Sequence, residues 1–306
     1  MPTHSGKLQP EDRRRTEHRN PASRNLDRMS AAQIVHLMNR EDRKVAIAVH
    51  RELPSIAKAA DAIVHALQHG GRLFYVGAGS SGRMAVLDAA EIAPTFGTAP
   101  TLVQALIAGG HKAVTSAVEG AEDSVRNGER DLRARKFTSK DIIVGIAASG
   151  TTPYVLGALR YARKRTATII AITSNRRVPI TRLANIIIAP EVGPEVVTGS
   201  TRLKAGTSQK LVLNMLSTAT MVRLGHVYEN LMIDAVLTNK KLEDRALRIL
   251  AEASGKSMSN GRRALRQAEH DIRVALVILK RAVTAAEARK LLANAGGNLR
   301  QALRET

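Results

Sequence analysis

The fold is decided by one stretch of the chain, which reads Leu73-Phe74-Tyr75-Val76-Gly77-Ala78-Gly79-Ser80-Ser81-Gly82-Arg83. Its first four residues form a continuous apolar run, which is typical of a short strand covered on both faces. A glycine-rich turn follows and opens a helical pattern of apolar residues. The stretch therefore predicts a parallel strand that leads directly into a helix.

The same pattern recurs on the C-terminal side of this stretch. Helical patterns separate four further short apolar runs, at residues 102–107, 142–147, 168–172 and 186–189. Strands that alternate with helices indicate parallel crossovers, so we predict an α/β fold with about five parallel strands. Ligands of such sheets bind beyond the carboxyl ends of the strands.

The remaining segments are predicted to be irregular or helical. The N-terminus is polar, rich in arginine and without periodicity, which predicts a flexible basic arm. An apolar helix from about Lys204 to Gly225 is expected to close the sheet domain, with an inward apolar stripe formed by Leu211, Val212, Met215, Ala219 and Val222. The predicted division is a basic arm at 1–28, N-terminal helices at 29–60, a sheet domain at 61–225 and a C-terminal helical domain at 226–306.

Composition excludes several classes of protein. The chain has 306 residues, of which 44% are hydrophobic, and it contains no cysteine. A disulfide scaffold, a cysteine nucleophile and a thiolate metal site are therefore excluded. The apolar runs are shorter than the roughly 18 residues of a membrane helix, and the N-terminus is too polar for a signal peptide. We expect a cytoplasmic protein that does not bind membranes.

The formal net charge is +20, which raises the question of nucleic-acid binding. The basic residues are spread along the chain, with the greatest density towards the C-terminus. Aromatic residues make up only 2% of the chain and tryptophan is absent, so surfaces on which bases could stack are scarce. Solvated basic helix faces explain the charge, and we predict no nucleic-acid partner.

The first strand-to-helix turn formally matches the dinucleotide pattern G-x-G-x-x-G at residues 77–82. A dinucleotide fold places an acidic residue about 20 positions later, at the end of the second strand. Here that strand ends in Ala108-Gly109-Gly110, and Asp88 and Glu91 come too early. We therefore expect no nicotinamide cofactor. What remains is a helix N-terminus with adjacent hydroxyls, a site that attracts an anion such as phosphate.

A second turn repeats this design in Ala148-Ser149-Gly150-Thr151-Thr152-Pro153. A strand ends, hydroxyl side chains follow, and Pro153 takes the first helical position. Two such turns at one sheet edge form a plausible phosphate pocket. The alternative is that the hydroxyls are ordinary helix caps.

Two further segments are candidates for function. Glu91 lies among apolar residues in 89–94, where desolvation would raise the pKa of its carboxyl group and suit acid or base catalysis. Residues 193–207 are dense in glycine, hydroxyl and cationic residues, and they either hold an anion, form a lid or cap the next helix. Histidine adds little, because His65 and His69 have metal-ligand spacing without an acidic partner. No histidine lies near a Ser-x-Gly turn as a hydrolase triad would require.

Together these motifs resemble the N-acetylmuramic acid 6-phosphate etherase family of the sugar isomerase (SIS) superfamily, which is related to glucokinase regulatory protein. The resemblance rests on residues 77–97, 117–123, 145–150 and 193–210, and it extends from about Asn25 to the C-terminus. It implies a homodimeric, three-layer SIS fold and release of D-lactate from N-acetylmuramic acid 6-phosphate, without a metal or organic cofactor. The sequence departs at Thr151, where the resemblance leads us to expect arginine, and at Ile92-Ala93, where Cys-Pro is common.

Site residues follow from the resemblance position by position. The catalytic pair falls on Glu91, as acid and then water-activating base, and on Glu122, as the base at C2. The residues expected to bind the sugar phosphate are Gly79, Ser80, Ser81, Ser149, Gly150, Thr151, Thr152, Ser200, Thr201 and Lys204. Two alternatives remain open: a non-catalytic sugar-phosphate sensor of the same fold, and an aldose–ketose isomerase.

Overall fold

The computed structural model describes residues 14–237 and 239–304. Its main sheet has five parallel strands within this described part, in the order β2-β1-β3-β4-β5. The strands are β1 (Leu73–Gly77), β2 (Val103–Ile107), β3 (Ile142–Ile146), β4 (Thr168–Ile172) and β5 (Ile186–Ile188). The predicted α/β class with about five parallel strands is confirmed.

Helices cover both faces of the sheet. The helices up to the end of the sheet domain are α1 (Ala31–His50), α2 (Leu53–Gln68), α3 (Gly79–Phe96), α4 (Lys112–Thr115), α5 (Val125–Ala134), α6 (Pro153–Lys164) and α7 (Lys204–Arg223). Leu73 and Tyr75 belong to the hydrophobic core under α1, α2, α3 and α7. Phe74 and Val76 face the opposite way, into the core under α5 and α6. The uninterrupted apolar run of β1 thus reflects burial on both faces, and burial of one such side chain contributes roughly 1.5–3 kcal/mol.

The C-terminal part has its own hydrophobic core, which includes Leu247, Leu250 and Leu276. A short hairpin precedes its helices. These elements are β6 (Val227–Tyr228), β7 (Leu231–Met232), α8 (Lys240–Ser254), α9 (Met258–Gln267), α10 (Ile272–Arg281), α11 (Ala285–Asn294) and α12 (Leu299–Ala302). Asp234, just after the hairpin, accepts a hydrogen bond from His226 at 2.6 Å, and its carboxylate forms an ion pair with Arg273 Nε at 2.8 Å, so it joins the hairpin to α10.

The expectation of a flexible arm over residues 1–28 is wrong for the part that the structure describes, and residues 1–13 lie outside it. Residues 14–28 form three short 3₁₀ turns that pack on the sheet domain. Thr16 is 1% exposed and Asn20 is 5% exposed. Hydrogen bonds of these small polar side chains anchor the segment, a mechanism that hydrophobic periodicity does not detect.

Helix α7 is buried differently from its predicted apolar stripe. Val212 is buried as expected, whereas Met215 and Val222 are 37% and 44% exposed. The buried face instead includes polar side chains, among them Lys204, Ser208, Gln209, Ser217 and Thr220. Among residues 14–237 and 239–304, no helix is both long and apolar enough to cross a membrane.

Candidate functional site

The two hydroxyl-rich turns are neighbours in space. They follow β1 and β3, which pair in parallel with Gly77 opposite Ile146. The chain runs from β1 to β2 on one side and continues from β3 on the other, so the sheet order reverses between these strands. This switch point is where open parallel sheets bind ligands.

The first turn leaves backbone N–H groups available at the start of α3. Its N-cap residue is Ala78, whose side chain has no hydrogen-bond acceptor. Close packing fixes the turn, because a Cβ on Gly77 would lie 2.7 Å from the Gly82 nitrogen and one on Gly82 would lie 2.6 Å from Ile107 Cγ1. The first N–H groups and the Ser80 hydroxyl therefore form a preorganised donor set for an anion.

The second turn places two hydroxyls side by side. Thr151 Oγ1 donates to Ser149 Oγ at 3.0 Å, and the Thr151 backbone N–H donates to the same oxygen at 3.3 Å. Gly150 has a φ of +73°, which permits the sharp turn. Thr152 is the N-cap of α6, yet its side chain makes no capping hydrogen bond.

The alternative that these hydroxyls are ordinary helix caps is not supported by the geometry. Neither α3 nor α6 has a side-chain cap, and α2 and α4 also lack one. Side-chain caps occur at the helices that begin after Ser30, Ser124, Asn239, Ser257, Asp271, Thr284 and Asn298. The two helices that start at the switch point thus keep their N-terminal donors uncapped by side chains.

Glu122 lies beside the first turn. It belongs to a 3₁₀ turn, Ala121–Asp123, and is exposed. Together with Gly79 and Arg83 it lines a cavity of about 240 Å³. Arg83 fixes the preceding segment, because its guanidinium donates to the Val114 carbonyl at 3.1 Å and to the Ser116 carbonyl at 3.2 Å.

Glu91 is placed differently from the sequence expectation. It lies on α3, twelve residues after Gly79, which corresponds to about 18 Å along the helix axis at 1.5 Å per residue. Its side chain is exposed, so its apolar neighbours in sequence do not desolvate it within this chain. The buried carboxyl group of this helix is that of Asp88, which is 4% exposed. Helix α3 therefore does not bring Glu91 to the first turn.

Burial raises the pKa of Asp88, and the nearby Tyr75 hydroxyl, the charge of Lys210 and the Ser217 hydroxyl only partly oppose this effect. Ser217 Oγ donates to Asp88 at 3.2 Å, and Lys210 Nζ lies 4.0 Å from the carboxylate. Asp88 thus joins α3 to α7. Sequence reasoning rejected Asp88 as a ribose ligand and singled out Glu91 as the candidate catalytic residue of this helix, although helical spacing from the buried residues Ala85 and Ile92 could have identified Asp88 as inward-facing.

The loop at residues 193–207 combines a helix cap with a buried ion pair. Glu195 is fully buried and accepts the backbone N–H groups of Lys204 at 3.1 Å and Ala205 at 2.9 Å, so it caps α7. Burial raises the pKa of Glu195, and these hydrogen bonds limit the rise. Lys204 Nζ lies 2.7 Å from Glu41 Oε2, and Lys204 is 2% exposed.

Of the residues predicted in this loop, Ser200 and Thr201 are half-buried, and the carbonyl of Thr201 accepts the Gly206 N–H at 3.0 Å. The ammonium of Lys204 is directed to Glu41 instead of solvent. Direct contact between these three residues and a substrate stays a prediction.

Sequence reasoning missed the N-terminal segment as part of the site. Arg14 Nη1 donates to Thr151 Oγ1 at 3.3 Å. Asn175 Nδ2 donates to Thr16 Oγ1 at 3.2 Å and to the Ala148 carbonyl at 3.0 Å. Residues 14–16 thus lie against the second turn. The turn signal Asn20-Pro21 within a segment otherwise lacking periodicity could have indicated local order.

Comparison with known families identifies the type of domain. Residues 123–219 match the family described as SIS domain. Residues 55–163 match the family described as glucokinase regulatory protein N-terminal SIS domain. Both hydroxyl-rich turns lie within these matches.

The chain is also similar to curated proteins named N-acetylmuramic acid 6-phosphate etherase. It is 51% identical over 288 residues to the protein of that name from Pectobacterium atrosepticum, covering 94% of this chain and 95% of that protein. It is likewise 51% identical to the one from Yersinia pestis, covering 94% of this chain and 98% of that protein.

Solved structures support the fold. A phosphoheptose isomerase from Francisella tularensis is similar with a TM-score of 0.53 and 21% identity, covering 63% of this chain and all of that one. A phosphoheptose isomerase from Neisseria gonorrhoeae gives a TM-score of 0.50 and 17% identity, covering 62% of this chain and 99% of that one. At these identities the similarity concerns the sheet domain and its architecture alone.

Proposed function

The chain belongs to the N-acetylmuramic acid 6-phosphate etherase family, and from this premise we propose how its residues perform the reaction. It is a carbon–oxygen lyase of amino sugar recycling that acts on the lactyl ether of N-acetylmuramic acid 6-phosphate. The observation that carries the proposed mechanism is the position of Glu122, which lines a cavity together with the first anion-binding turn.

The chemistry follows from the position of the ether. In the open-chain sugar, the ether oxygen on C3 is β to the C1 aldehyde, so the C2 proton is acidic. Removal of that proton by a carboxylate forms an enolate, and the C3–O bond breaks as a carboxylic acid protonates the departing lactate oxygen. Water then adds at C3 and a proton returns to C2. The sum is one water consumed, with N-acetylglucosamine 6-phosphate and D-lactate formed.

We assign the two proton transfers to two glutamates. Glu122 is the base that removes the C2 proton, and Glu91 is the acid that protonates lactate and then activates water. One of the two must be ionised and the other protonated when the cycle starts. This sequence of acid and base steps requires neither a metal nor an organic cofactor.

The hydroxyl-rich turns are proposed to hold the sugar phosphate. Backbone N–H groups at the start of α3 and α6 point towards the switch point, and neighbouring hydroxyls add donors. The residues assigned to this role are Gly79, Ser80, Ser81, Ser149, Gly150, Thr151 and Thr152. Ser200, Thr201 and Lys204 are assigned to the loop that borders the site.

A homodimer accounts for the position of Glu91. About 18 Å of helix separates it from the first turn of its own chain, which is too far for one sugar molecule to contact both. We infer that the partner subunit's Glu91 completes each site. Large apolar side chains exposed on α3 and α7, namely Leu87, Met215 and Val222, supply surface for such an interface. The proposed compartment is the cytoplasm, where sugar phosphates are made and consumed.

Measurement of D-lactate release from N-acetylmuramic acid 6-phosphate by the purified protein tests the proposal. We expect stoichiometric lactate and N-acetylglucosamine 6-phosphate, and loss of both products in Glu122→Gln. Interconversion of aldose and ketose phosphates without lactate would indicate the isomerase instead. Tight binding of the sugar phosphate without any turnover would indicate the sensor.

A further inference from the structure

The second turn has a cation that its own sequence does not provide. Residues 149–153 offer hydroxyls and backbone N–H groups but no charged side chain. Arg14, 137 positions away in sequence, donates from Nη1 to Thr151 Oγ1 at 3.3 Å. This places a guanidinium at the turn assigned to the substrate phosphate.

Buried contacts fix the backbone that carries Arg14. Thr16 is 1% exposed and accepts from Asn175 at 3.2 Å, and the same amide group donates to the carbonyl of Ala148 at the end of β3. Four residues further on, Asn20 donates to Glu41 at 3.0 Å and to the Pro194 carbonyl at 3.1 Å. The segment is therefore held at two points on the carboxyl edge of the sheet, which limits the entropy lost when Arg14 binds a ligand.

We propose that Arg14 binds the 6-phosphate of the substrate, together with the hydroxyls of Ser149 and Thr151. The inference rests on the proposed function, because that function puts the phosphate at this turn. A guanidinium carries five N–H donors in a fixed plane, and this geometry matches the oxygens of a phosphate group. Charge-assisted hydrogen bonds of this kind are about twice as strong as neutral ones.

The departure at Thr151 is explained by the same contact. The resemblance leads us to expect an arginine at this position, and the hydroxyl side chain here is too short to supply a cation. Arg14 brings the guanidinium from another segment to within hydrogen-bond distance of Thr151. The positive charge is thus retained at the turn although the residue that carries it has changed place.

Four variants test the inference: Arg14→Ala, Arg14→Lys, Arg24→Ala and the double variant Arg14→Ala/Thr151→Arg. Arg24 is an exposed arginine of the same N-terminal segment, so Arg24→Ala is the matched control for loss of one charge. The first measurement is the Kd of N-acetylglucosamine 6-phosphate by titration calorimetry, which needs no turnover. The second is kcat/KM for lactate release from N-acetylmuramic acid with and without the 6-phosphate.

Arg14→Ala should weaken binding of N-acetylglucosamine 6-phosphate by about 10- to 100-fold, mainly through KM when turnover is measured. Activity on the unphosphorylated sugar should fall much less, because that sugar has no phosphate to lose contact with, so the preference for the phosphorylated substrate decreases. Arg14→Lys should lie between wild type and Arg14→Ala, because lysine keeps the charge but not the planar donor set. Arg24→Ala should match wild type, and Thr151→Arg should restore part of the binding to Arg14→Ala.

Unchanged affinity of Arg14→Ala for N-acetylglucosamine 6-phosphate would overturn the inference. The inference would also fail if Arg14→Ala lost lactate release but still bound N-acetylglucosamine 6-phosphate as tightly as wild type. N-acetylglucosamine 6-phosphate has no lactyl group, so that result would indicate that Arg14 contacts the lactyl carboxylate of the substrate. If wild type binds the product but releases no lactate, the proposed function fails while the Arg14 comparison still decides the phosphate contact. If wild type neither binds nor turns over, both fail. If Arg14→Ala has a lowered Tm, the Kd of N-acetylglucosamine 6-phosphate for Arg14→Lys is used instead to test the phosphate contact.

Discussion

The ammonium of Lys204 and the carboxylate of Glu41 form an ion pair at 2.7 Å in which both side chains are almost completely buried. Glu41 lies on α1 and Lys204 begins α7, so the pair joins the N-terminal helices to the loop at residues 193–203. Asn20 and Lys44 add hydrogen bonds to the same carboxylate at 3.0 Å and 2.5 Å. The arrangement thus secures both the loop and the N-terminal segment against the sheet domain.

Breaking this pair should destabilise the protein strongly. Glu41→Gln leaves a buried ammonium without its counter-charge, so we expect the free energy of unfolding to fall by about 3–5 kcal/mol at neutral pH. The double variant Glu41→Leu/Lys204→Met, which removes both charges, should recover most of that loss. Urea unfolding curves of the three proteins measure the difference. A double variant less stable than Glu41→Gln would show that the attraction within the ion pair outweighs the free-energy cost of removing both charges from water.

The pH dependence of this pair has a definite sign. Burial by itself would raise the pKa of Glu41, but hydrogen bonds from Lys204, Lys44 and Asn20 outweigh it and lower the pKa from 4.5 to about 2. A carboxyl group with a lowered pKa stabilises the folded state above its unfolded pKa and loses that contribution as pH falls to the folded value. A shift of this size corresponds to about 3 kcal/mol.

We therefore expect the stability difference between wild type and Glu41→Gln to be constant above about pH 4.5 and to shrink towards pH 2. Unfolding curves at several pH values test this. Because Asp88 and Glu195 titrate in both proteins, the comparison isolates Glu41. A difference that stays the same down to pH 2 would show that the carboxylate is not stabilised by its partners.

The sequence predicted the sheet well but not these polar links. The apolar run at 73–76 indicated β1, observed at Leu73–Gly77, because burial on both faces leaves a continuous pattern. The contact of Glu41 with Lys204 spans 163 positions, and that of Arg14 with Thr151 spans 137. Neither pair leaves a periodic signal, since one polar residue on each side is enough to form it.

The candidate site was also only partly predictable. Sequence spacing located both hydroxyl-rich turns, because a strand end and a helix start have local signatures. Sequence spacing could not show that Asp88 is buried whereas Glu91 is exposed. The two residues are only three positions apart on α3, and which of them faces α7 depends on how the helix packs. The apolar neighbours of Glu91 were therefore a misleading guide to its surroundings.

Gly150 should be intolerant of a side chain. Its φ is +73°, and an added Cβ would lie 2.3 Å from Val178 Cγ2. Gly193 has a similar φ of +74° with open space around it, so Gly193→Ala measures the backbone strain alone. We expect about 1–2 kcal/mol of destabilisation for Gly193→Ala and clearly more for Gly150→Ala. Thermal unfolding provides the comparison, and adding Val178→Ala should recover part of the Gly150→Ala loss if the steric contact is the cause.

The basic charge should not produce specific nucleic-acid binding. Electrostatic contacts to phosphates weaken steeply with salt, and aromatic residues that could stack on bases are scarce. We expect duplex DNA to bind weakly at low ionic strength and to be released at about 0.2 M salt. A mobility-shift titration at both salt concentrations is sufficient. Sequence-specific binding that persists at the higher concentration would contradict this expectation.

Isotope labels can separate the roles of the two glutamates. If the ether is cleaved by elimination and hydration, the C2 proton is exchanged and the new C3 hydroxyl comes from solvent. A reaction in heavy water enriched in oxygen-18 should therefore give deuterium at C2 and oxygen-18 at C3 of the sugar, with unlabelled lactate. Oxygen-18 in the ether-derived hydroxyl of lactate would mean cleavage on the lactyl side and would exclude elimination.

The same labels distinguish the variants. Glu91→Gln cannot protonate the departing oxygen, so lactate release should fall by roughly 100-fold or more while Glu122 still catalyses exchange at C2. Glu122→Gln should lose both exchange and lactate release, because the first proton transfer is lost. Asp123→Asn, in the same exposed 3₁₀ turn as Glu122 but outside the lining of the cavity, is the control and should keep both activities. Exchange that survives in Glu122→Gln but not in Glu91→Gln would reverse the two assignments.

If the partner subunit's Glu91 completes each site, mixing the two inactive variants should restore activity in heterodimers, because one of their two sites then contains both glutamates.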